Sequence, residues 1–270
     1  MIKIIKLTLL LGALIAFTSC SDESSEKTLL HKAQKGDNTA KVQLGLYYFK
    51  KYRSESYKSS RTVTEEELSA LYSRGWKFLS ESIAYLESEA AKGHRPSMEA
   101  LSTIYSEGWG ATKDKDIAFK WDLKLAEGGD YFAQQSVAFY YTSKAGFDSP
   151  PPFYSEKQKS TYVASQAENH YNAIKWFKLS LDNPNRQKEL DPFILSTLGN
   201  IYVFRKQWRN AFDTYESCKD CFPAELAELY LKGLGVRQSN TKAKELYGIS
   251  CDRGIQSSCD KYADLNLNKN

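Results

Sequence analysis

The chain has 270 residues, of which 37 are basic and 33 acidic, so its formal net charge is +4. That balance argues against a nucleic-acid-binding protein, which would show a clustered basic face. Beyond the N-terminal leader no apolar run approaches the roughly 20 residues that a membrane-spanning helix needs. The remaining length suits a repeat solenoid better than one compact core.

The N-terminus carries an export signal. Lys3 and Lys6 precede an almost uninterrupted apolar stretch over residues 7–17, and two small residues then precede Cys20. So short a stretch, with these flanks, is typical of a cleaved signal rather than of a spanning helix. The segment resembles a bacterial lipoprotein signal, with Phe17 in place of the usual leucine. The resemblance implies that residues 1–19 are removed and that Cys20 is acylated. The alternative is an ordinary signal peptide in which Cys20 is incidental.

Residues 20–28 are polar and poor in apolar side chains, so we expect a lipidated flexible tether there. One acyl chain gives only reversible attachment, whereas the multiple acylation that the lipoprotein resemblance implies would hold permanently. Ser21, directly after the cysteine, favours the outer membrane in the enterobacterial sorting pattern. The expected location is therefore the cell envelope, most simply the outer membrane with the body facing the periplasm.

From residue 29 to 270 one helix-pair frame recurs about five times. In its cleanest copy small and large apolar residues follow at four-residue steps, and a second stripe follows a glycine-bearing turn; the residues are Gly93, Ser97, Leu101 and Tyr105, then Ala118, Trp121, Ala126 and Gly129. Each stripe is one face of a helix. Two stripes form a hairpin that cannot bury its apolar face alone, so successive hairpins stack.

The other copies follow the same frame less regularly. The second helices of the five copies are predicted to start at residues 82, 118, 173, 211 and 243, which are 36, 55, 38 and 32 residues apart. A half-copy from Gly254 through Tyr262 is too short for a second helix and is a plausible cap. We therefore predict an all-α chain, a right-handed α-solenoid of about five helix-turn-helix repeats with a C-terminal capping helix and an exposed groove.

Two segments carry a resemblance to a known family. AAKGHRPSMEALSTIYSEGWGATKDKDIAFKWDLKLAEGGD and CFPAELAELYLKGLGVRQSNTKAKELY resemble Sel-one-like repeats, cousins of the tetratricopeptide repeat. LGNIYVFRKQWRNAFDTY has a shorter turn and looks more like a plain tetratricopeptide hairpin. Such repeats usually mediate protein–protein contact, so the resemblance implies a protein or peptide partner without naming one.

Four cysteines remain after Cys20, which in an exported chain suggests two disulfides. The spacing of Cys251 and Cys259 resembles the cysteine-rich branch of the repeat family, in which the bridge staples adjacent hairpins. Cys218 and Cys221 are closer together than that family pattern. They predict a local disulfide, with cross-pairing to the other two cysteines as the competitor.

Two segments interrupt the repeats. Residues 49–63 are polar, basic and tyrosine-bearing, and Thr64 with Glu67 forms a capping box that opens a helix expected through residue 92. Residues 144–170 contain three consecutive prolines, which favour a stiff extended excursion. Phe153 and Tyr154 follow these prolines. Long solenoid loops often carry binding determinants, and the competing interpretation is packing filler or a disordered excursion.

Tryptophan positions divide into core and candidate contacts. Trp121 and Trp176 occupy the same repeat position and are predicted to be core. Trp109, in a Gly-Trp-Gly turn, and Trp208, in a short loop, are candidate partner contacts together with Phe153 and Tyr154, because tryptophan is enriched at binding hot spots.

Signals for catalysis are poor. The three histidines have no paired zinc-ligand spacing, and there is no phosphate loop, so no metal and no cofactor is predicted. Ser-x-x-Lys occurs at Ser24, Ser239 and Ser258, without the companion motifs of serine β-lactam enzymes. The leading hypothesis is an envelope lipoprotein that binds a partner in its groove, as an adaptor or as an immunity protein against an envelope-targeting toxin. The alternative is an enzyme that acts on β-lactam or cell-wall substrates.

Overall fold

The computed structural model describes residues 23–58 and 63–267. They form two compact units, which divide between Val137 and Ala138. In the described part of the chain the regular elements are thirteen α-helices and one 3₁₀ turn, with no strand, so the all-α helical-repeat prediction is confirmed. Within that part no helix combines the length and the apolar character needed to cross a membrane.

The helices of the first unit are mostly joined by turns of two to eight residues. They are α1 (Glu23–Gln34), α2 (Asn38–Ser56), α3 (Glu65–Ser80), α4 (Ile83–Ala91), α5 (Arg95–Glu107), α6 (Lys115–Glu127) and α7 (Tyr131–Ala145), the last of which ends in the second unit. Two buried clusters form the core of this unit. One is centred on Leu44 and Tyr48, and the other on Phe49, Leu79 and Leu101.

The second unit repeats the helix-pair pattern. It contains α8 (Glu156–Leu181), a 3₁₀ turn (Lys188–Leu190), α9 (Asp191–Phe204), α10 (Trp208–Glu216), α11 (Pro223–Lys232), α12 (Asn240–Asp252) and α13 (Gln256–Leu267). Its largest fully buried side chains include Phe177, Ile194, Ile201, Tyr215 and Tyr247.

The hairpins α5–α6 and α11–α12 agree position by position at a shift of 125 residues. Gly108 and Gly233 end the two first helices in the left-handed region, with φ values of 77° and 66°. In the first hairpin the backbone N–H of Asp114 donates to the carbonyl of Tyr105 at 2.9 Å. In the second, the backbone N–H of Ser239 donates to the carbonyl of Tyr230 at 3.0 Å. Each of those donors also caps its second helix with a side-chain oxygen. The frame read from the sequence is therefore one three-dimensional unit used twice.

A second pair of glycines explains how each hairpin packs on an earlier helix, α3 for the first hairpin and α10 for the second. Gly110 and Gly235 both have positive φ values, 84° and 71°. A Cβ on Gly110 would collide with Leu79 and Ser80, and one on Gly235 with the backbone of Trp208. Glycine at this point of the turn is therefore required both for backbone conformation and for close contact with an earlier helix.

Three predictions about the first unit need correction. Residues 23–28, expected to belong to the flexible tether, are helical, because α1 begins at Glu23. The segment 49–63 is not all loop, since α2 continues to Ser56. The helix expected from Thr64 to residue 92 keeps its capping box but is two helices. The break lies at Ser82, whose buried hydroxyl donates to the carbonyl of Phe78 at 2.7 Å.

The excursion expected over residues 144–170 is restricted to residues 146–155. A capping box formed by Ser155 and Gln158 opens α8 directly after the prolines. Gln166, on the first half of this helix, donates its side-chain amide to the carbonyls of Ala145 and Asp148, at 3.2 and 3.0 Å. These two bonds hold the connecting segment against the helix.

Candidate binding groove in the second unit

A groove of about 380 Å³ runs along one face of the second unit. Its walls come from α9 and α11, the first helices of two successive hairpins, and from the C-terminal helix α13, and its floor comes from tyrosines on the second helices of those hairpins. The residues that define it are Asn200, Val203, Glu228, Lys232, Lys261, Tyr215 and Tyr247. Leu229 and Leu234 also line the groove, so its walls are partly charged and partly apolar.

Four side chains from three helices meet in this groove. The Glu228 carboxylate accepts hydrogen bonds from the Tyr247 hydroxyl at 2.5 Å and from the Lys261 ammonium at 2.6 Å, both on Oε2. Lys232, one turn later on α11, approaches Oε1 at 2.5 Å. Lys261 also lies 3.2 Å from the Tyr247 hydroxyl and over its ring. The cluster therefore joins α11, α12 and α13 through one carboxylate.

This arrangement fixes the protonation state of the cluster. Burial alone would raise the pKa of the Glu228 carboxyl, but hydrogen bonds from Lys232, Lys261 and Tyr247 outweigh it and bring the pKa to about 2. Burial and the bond to Glu228 raise the pKa of the Tyr247 phenol well above its ordinary value. Glu228 is thus ionised and Tyr247 neutral at any physiological pH, so the groove presents a fixed pattern of charge.

The floor near α9 depends on a close helix contact. The Tyr215 hydroxyl donates to the side-chain oxygen of Asn200 at 3.0 Å. Its ring lies against Gly199, where any Cβ would overlap the aromatic carbons. The buried Tyr215 thus holds the Asn200 side chain at the groove.

The four C-terminal cysteines lie at disulfide distance in two local pairs. Cys218 faces Cys221 with Cα atoms 5.3 Å apart, and Cys251 faces Cys259 with Cα atoms 4.6 Å apart. The second pair joins the end of α12 to α13, and so helps to position Lys261. The Arg253 guanidinium donates to the carbonyl of Asp220, which connects the turn of the first pair to the end of α12.

The candidate aromatic contacts do not belong to the lining of the groove. Trp109 is buried and stacks on Phe49 with ring centroids 5.0 Å apart, so the prediction of an exposed anchor is wrong. Trp208 is half-buried and begins α10, whereas a loop was expected. Phe153 is 83% exposed and packs edge-on against Tyr154 at 5.3 Å, but neither lines the groove. Cys20 lies outside the described residues.

Two of the serine candidates form hydrogen bonds that leave no nucleophile paired with its base. The buried Ser258 hydroxyl bonds Ser250 at 2.8 Å, while Lys261 binds Glu228, so this Ser-x-x-Lys pair does not form a nucleophile with its base. Ser239 caps α12 through the backbone of Lys242. Among the described residues no group of three or more His, Cys, Asp or Glu side chains could hold a metal ion.

Sequence reasoning missed Glu228, Lys232, Lys261 and Tyr247. Tyr247 is buried on α12, and nothing in its local sequence shows that its hydroxyl takes part in a polar cluster. The only local signal was the four-residue spacing of Glu228 and Lys232, which is common on solvated helix faces. Lys261 reaches Glu228 from 33 residues away, a proximity that only the folding of α13 creates.

Comparison with known proteins places two segments in one repeat family. The Sel1 repeat family matches residues 96–130 and 224–255. No curated protein matches the chain in sequence. Sel1 repeats typically serve as scaffolds for protein–protein interaction.

Solved structures of repeat proteins are similar to this chain. A Sel1 repeat protein from Oxalobacter formigenes is 16% identical, with 90% of this chain and 84% of that chain covered and a TM-score of 0.47. A protective antigen present in uropathogenic Escherichia coli strains, described as displaying an SLR fold, is also 16% identical, with 89% and 59% covered and a TM-score of 0.32. Since both segments matched by the family coincide with the equivalent hairpins α5–α6 and α11–α12, the chain carries Sel1 repeats, one matched in each of its compact units.

Proposed function

We propose that this chain is an envelope lipoprotein, acylated at Cys20, that binds a protein or peptide partner in the groove of its second unit. The expected site is the periplasmic face of the outer membrane. The observation that supports the binding site most directly is the Glu228 cluster. Its four groups are already in place, so a partner would not have to order them on binding.

The groove has the composition of a peptide site. Val203, Leu229 and Leu234 offer apolar surface, and Lys232 and Lys261 keep spare N–H donors beyond those that Glu228 accepts. An ammonium group has three donors. A groove of about 380 Å³ lies at the small end of the volumes of ligand sites, which suits a few side chains of an extended segment.

Photo-crosslinking in native envelopes tests the groove. A photoreactive residue at Val203 lies in the groove wall, and one at Ile249 lies on the exposed part of α12, outside the groove. We expect a discrete adduct from position 203 and none from position 249. Equal adducts from both positions, or none from either, would contradict a groove-bound partner.

A variant that blocks the groove should lose the partner, and a matched variant outside the groove should keep it. Ala224→Arg adds a long side chain to the groove lining, while Ile249→Arg adds the same side chain elsewhere in the unit. The first variant should lose the adduct formed from Val203 and the second should keep it. Turnover of a chromogenic β-lactam or of cell-wall fragments by the purified wild type would instead favour the enzymatic alternative.

The anchor and the physiological role have separate tests. Cys20→Ala should move the protein to the soluble periplasmic fraction, and continued membrane attachment would contradict acylation at that residue. The identity of the crosslinked partner separates the two roles. A co-encoded envelope-targeting toxin would indicate an immunity protein, and a resident envelope component an adaptor.

A further inference from the structure

The first unit has one end at which the chain toward Cys20 leaves the fold. Helices α1 and α2 form an antiparallel hairpin, in which the Tyr48 hydroxyl donates to Glu26 at 2.7 Å. At 1.5 Å per residue the start of α1 at Glu23 is therefore level with about residue 51 of α2. Because α2 continues to Ser56, its last five residues project roughly 8 Å beyond the start of α1.

Four aromatic side chains lie on this projection and on the helix beside it; we call them the aromatic end, and they are Tyr52, Tyr57, Tyr72 and Trp76. Tyr57 is 75% exposed, Tyr72 38% and Trp76 37%. The rings of Tyr52 and Tyr72 are 5.3 Å apart, and those of Tyr72 and Trp76 are 6.2 Å apart. An open cleft of about 460 Å³ lies between α2 and α3 beside Tyr52 and Tyr72.

The charges around the aromatic end nearly cancel. The described residues 50–58 and 63–67 include four basic and four acidic side chains, the latter being Glu55 and the three glutamates that open α3. Lys58 is neutralised by Glu55 at 2.6 Å. The surface is therefore aromatic and mixed in charge rather than strongly cationic. Tyrosine and tryptophan in such a setting favour the region between lipid headgroups and hydrocarbon, where an amphipathic ring is half wet.

The distance to the proposed anchor is short. Cys20 precedes Glu23 by three residues, and three residues span at most about 11 Å. The headgroup layer on each side of a bilayer is roughly 5–8 Å thick. An acylated Cys20 would therefore hold the start of α1 within about 11 Å of the lipid, at the end of the unit that carries the aromatic side chains.

We infer that the aromatic end of the first unit docks into the headgroup layer of the bilayer that holds the acylated Cys20. The inference depends on the lipidation that forms part of the proposed function. It is independent of the groove, which belongs to the second unit. The occupant is a zwitterionic lipid surface, because the local charge offers no strong attraction to anionic lipid.

Lipid-directed photo-crosslinking tests the docking. The acylated full-length protein is reconstituted in phosphatidylcholine vesicles that contain a lipid with a photoreactive headgroup, and the adducts are mapped by mass spectrometry. We expect adducts on residues 50–58 and 65–76. Adducts confined to the Cys20 peptide, or spread equally over residues 138–267, would overturn the inference. The intact mass reports acylation separately, so failure of the anchor is distinguishable from failure of docking.

Aromatic variants and a change in salt concentration give further tests of the docking. Tyr57→Ser with Trp76→Ser should lower the adduct yield on α2 and α3 roughly fivefold, as expected when two exposed aromatic anchors are lost. Phe153→Ser removes an even more exposed ring from the second unit and should leave the yield unchanged. Raising the salt concentration should change the adduct yield less than about twofold, because salt screens charges and this docking does not depend on an attraction between charges. A yield abolished by salt, or an aromatic end shielded from lipid by a bound protein or glycan, would overturn the inference.

Discussion

The Tyr247 hydroxyl donates a 2.5 Å hydrogen bond to the Glu228 carboxylate and so links the two helices of one Sel1 hairpin. The position equivalent to Tyr247 in the other matched hairpin is Asp122, which accepts a hydrogen bond from Ser102 on its own first helix. Both hairpins therefore use the same second-helix position for a polar link to the first helix. In the second unit that link is also part of the candidate groove.

Glu228→Gln should destabilise the protein by about 1–2 kcal/mol at pH 7, because it removes the charge that three donors share. The loss is no larger because the site is partly exposed to solvent. The folded pKa of about 2 lies below the ordinary value of 4.5. The stability that this carboxylate contributes is therefore present above pH 4.5 and is lost as the pH falls toward 2. Urea unfolding at pH 7 and pH 3 measures the difference.

The control for this variant is Glu216→Gln, on an exposed glutamate at the end of α10. It should leave the free energy of unfolding nearly unchanged at both pH values. An equal loss for the two variants at pH 7 would show that the cluster adds nothing beyond ordinary surface charge.

His170 predicts a second pH dependence. It is fully buried beside Phe147 and Phe204, and neither ring nitrogen has a hydrogen-bond partner. Burial lowers the pKa of the imidazole, the charge of Arg205 lowers it further, and the backbone of Gly146 opposes the shift only weakly. The folded state thus binds this proton less readily than the unfolded state. The associated stability is present above pH 6.5 and is lost as the pH falls below it.

His170→Leu should flatten the loss of stability between pH 6.5 and pH 5, because an apolar side chain has no proton to gain there. His31→Gln, on an exposed residue of α1, should keep the wild-type slope. The measurement is the free energy of unfolding across that pH range. An unchanged slope in the leucine variant would rule out His170 as its source.

The repeat frame could be predicted because its signals are local. Glycines at helix ends, and small residues at four-residue steps, report backbone conformation and helix packing within one hairpin. The start of α8 was also predictable, since Ser155 and Gln158 form a capping box directly after the prolines. The three prolines favour an extended segment, but that segment ends at Ser155, where the capping box opens α8.

The groove could not be predicted, because its contacts join distant segments. Lys261 approaches Glu228 from 33 residues away, and Trp109 is buried by Phe49 from 60 residues earlier in the chain. A Gly-Trp-Gly turn looks exposed in isolation, since turns usually lie on the surface. Only the buried cluster that Trp109 shares with Phe49 and Leu79 shows that this turn faces the core.

The Cys251–Cys259 bridge should stabilise the C-terminal hairpin. Closing so short a loop contributes about 2.5 kcal/mol in the chain-entropy model. Replacing both cysteines by serine should therefore lower the free energy of unfolding by about that amount, and hydrogen exchange should accelerate first in α13. Replacing Cys218 and Cys221 instead should leave exchange in α13 near the wild-type rate. Equal acceleration of exchange in the two double variants would contradict a local role for the Cys251–Cys259 bridge.

Gly235→Ala should be among the most destabilising single changes in the turns, by about 3 kcal/mol, because positive φ strain and a backbone collision act together. Its φ is 71°, and the new Cβ would overlap the carbonyl of Trp208, which is backbone and cannot rotate away. Gly254 has a φ of 85° and nothing within 4 Å of the added Cβ. Gly254→Ala should therefore cost only the conformational strain, about 1–2 kcal/mol. Thermal and urea unfolding of the two variants separate the contributions, and equal losses would show that the contact between the turn and α10 does not limit the packing of successive hairpins.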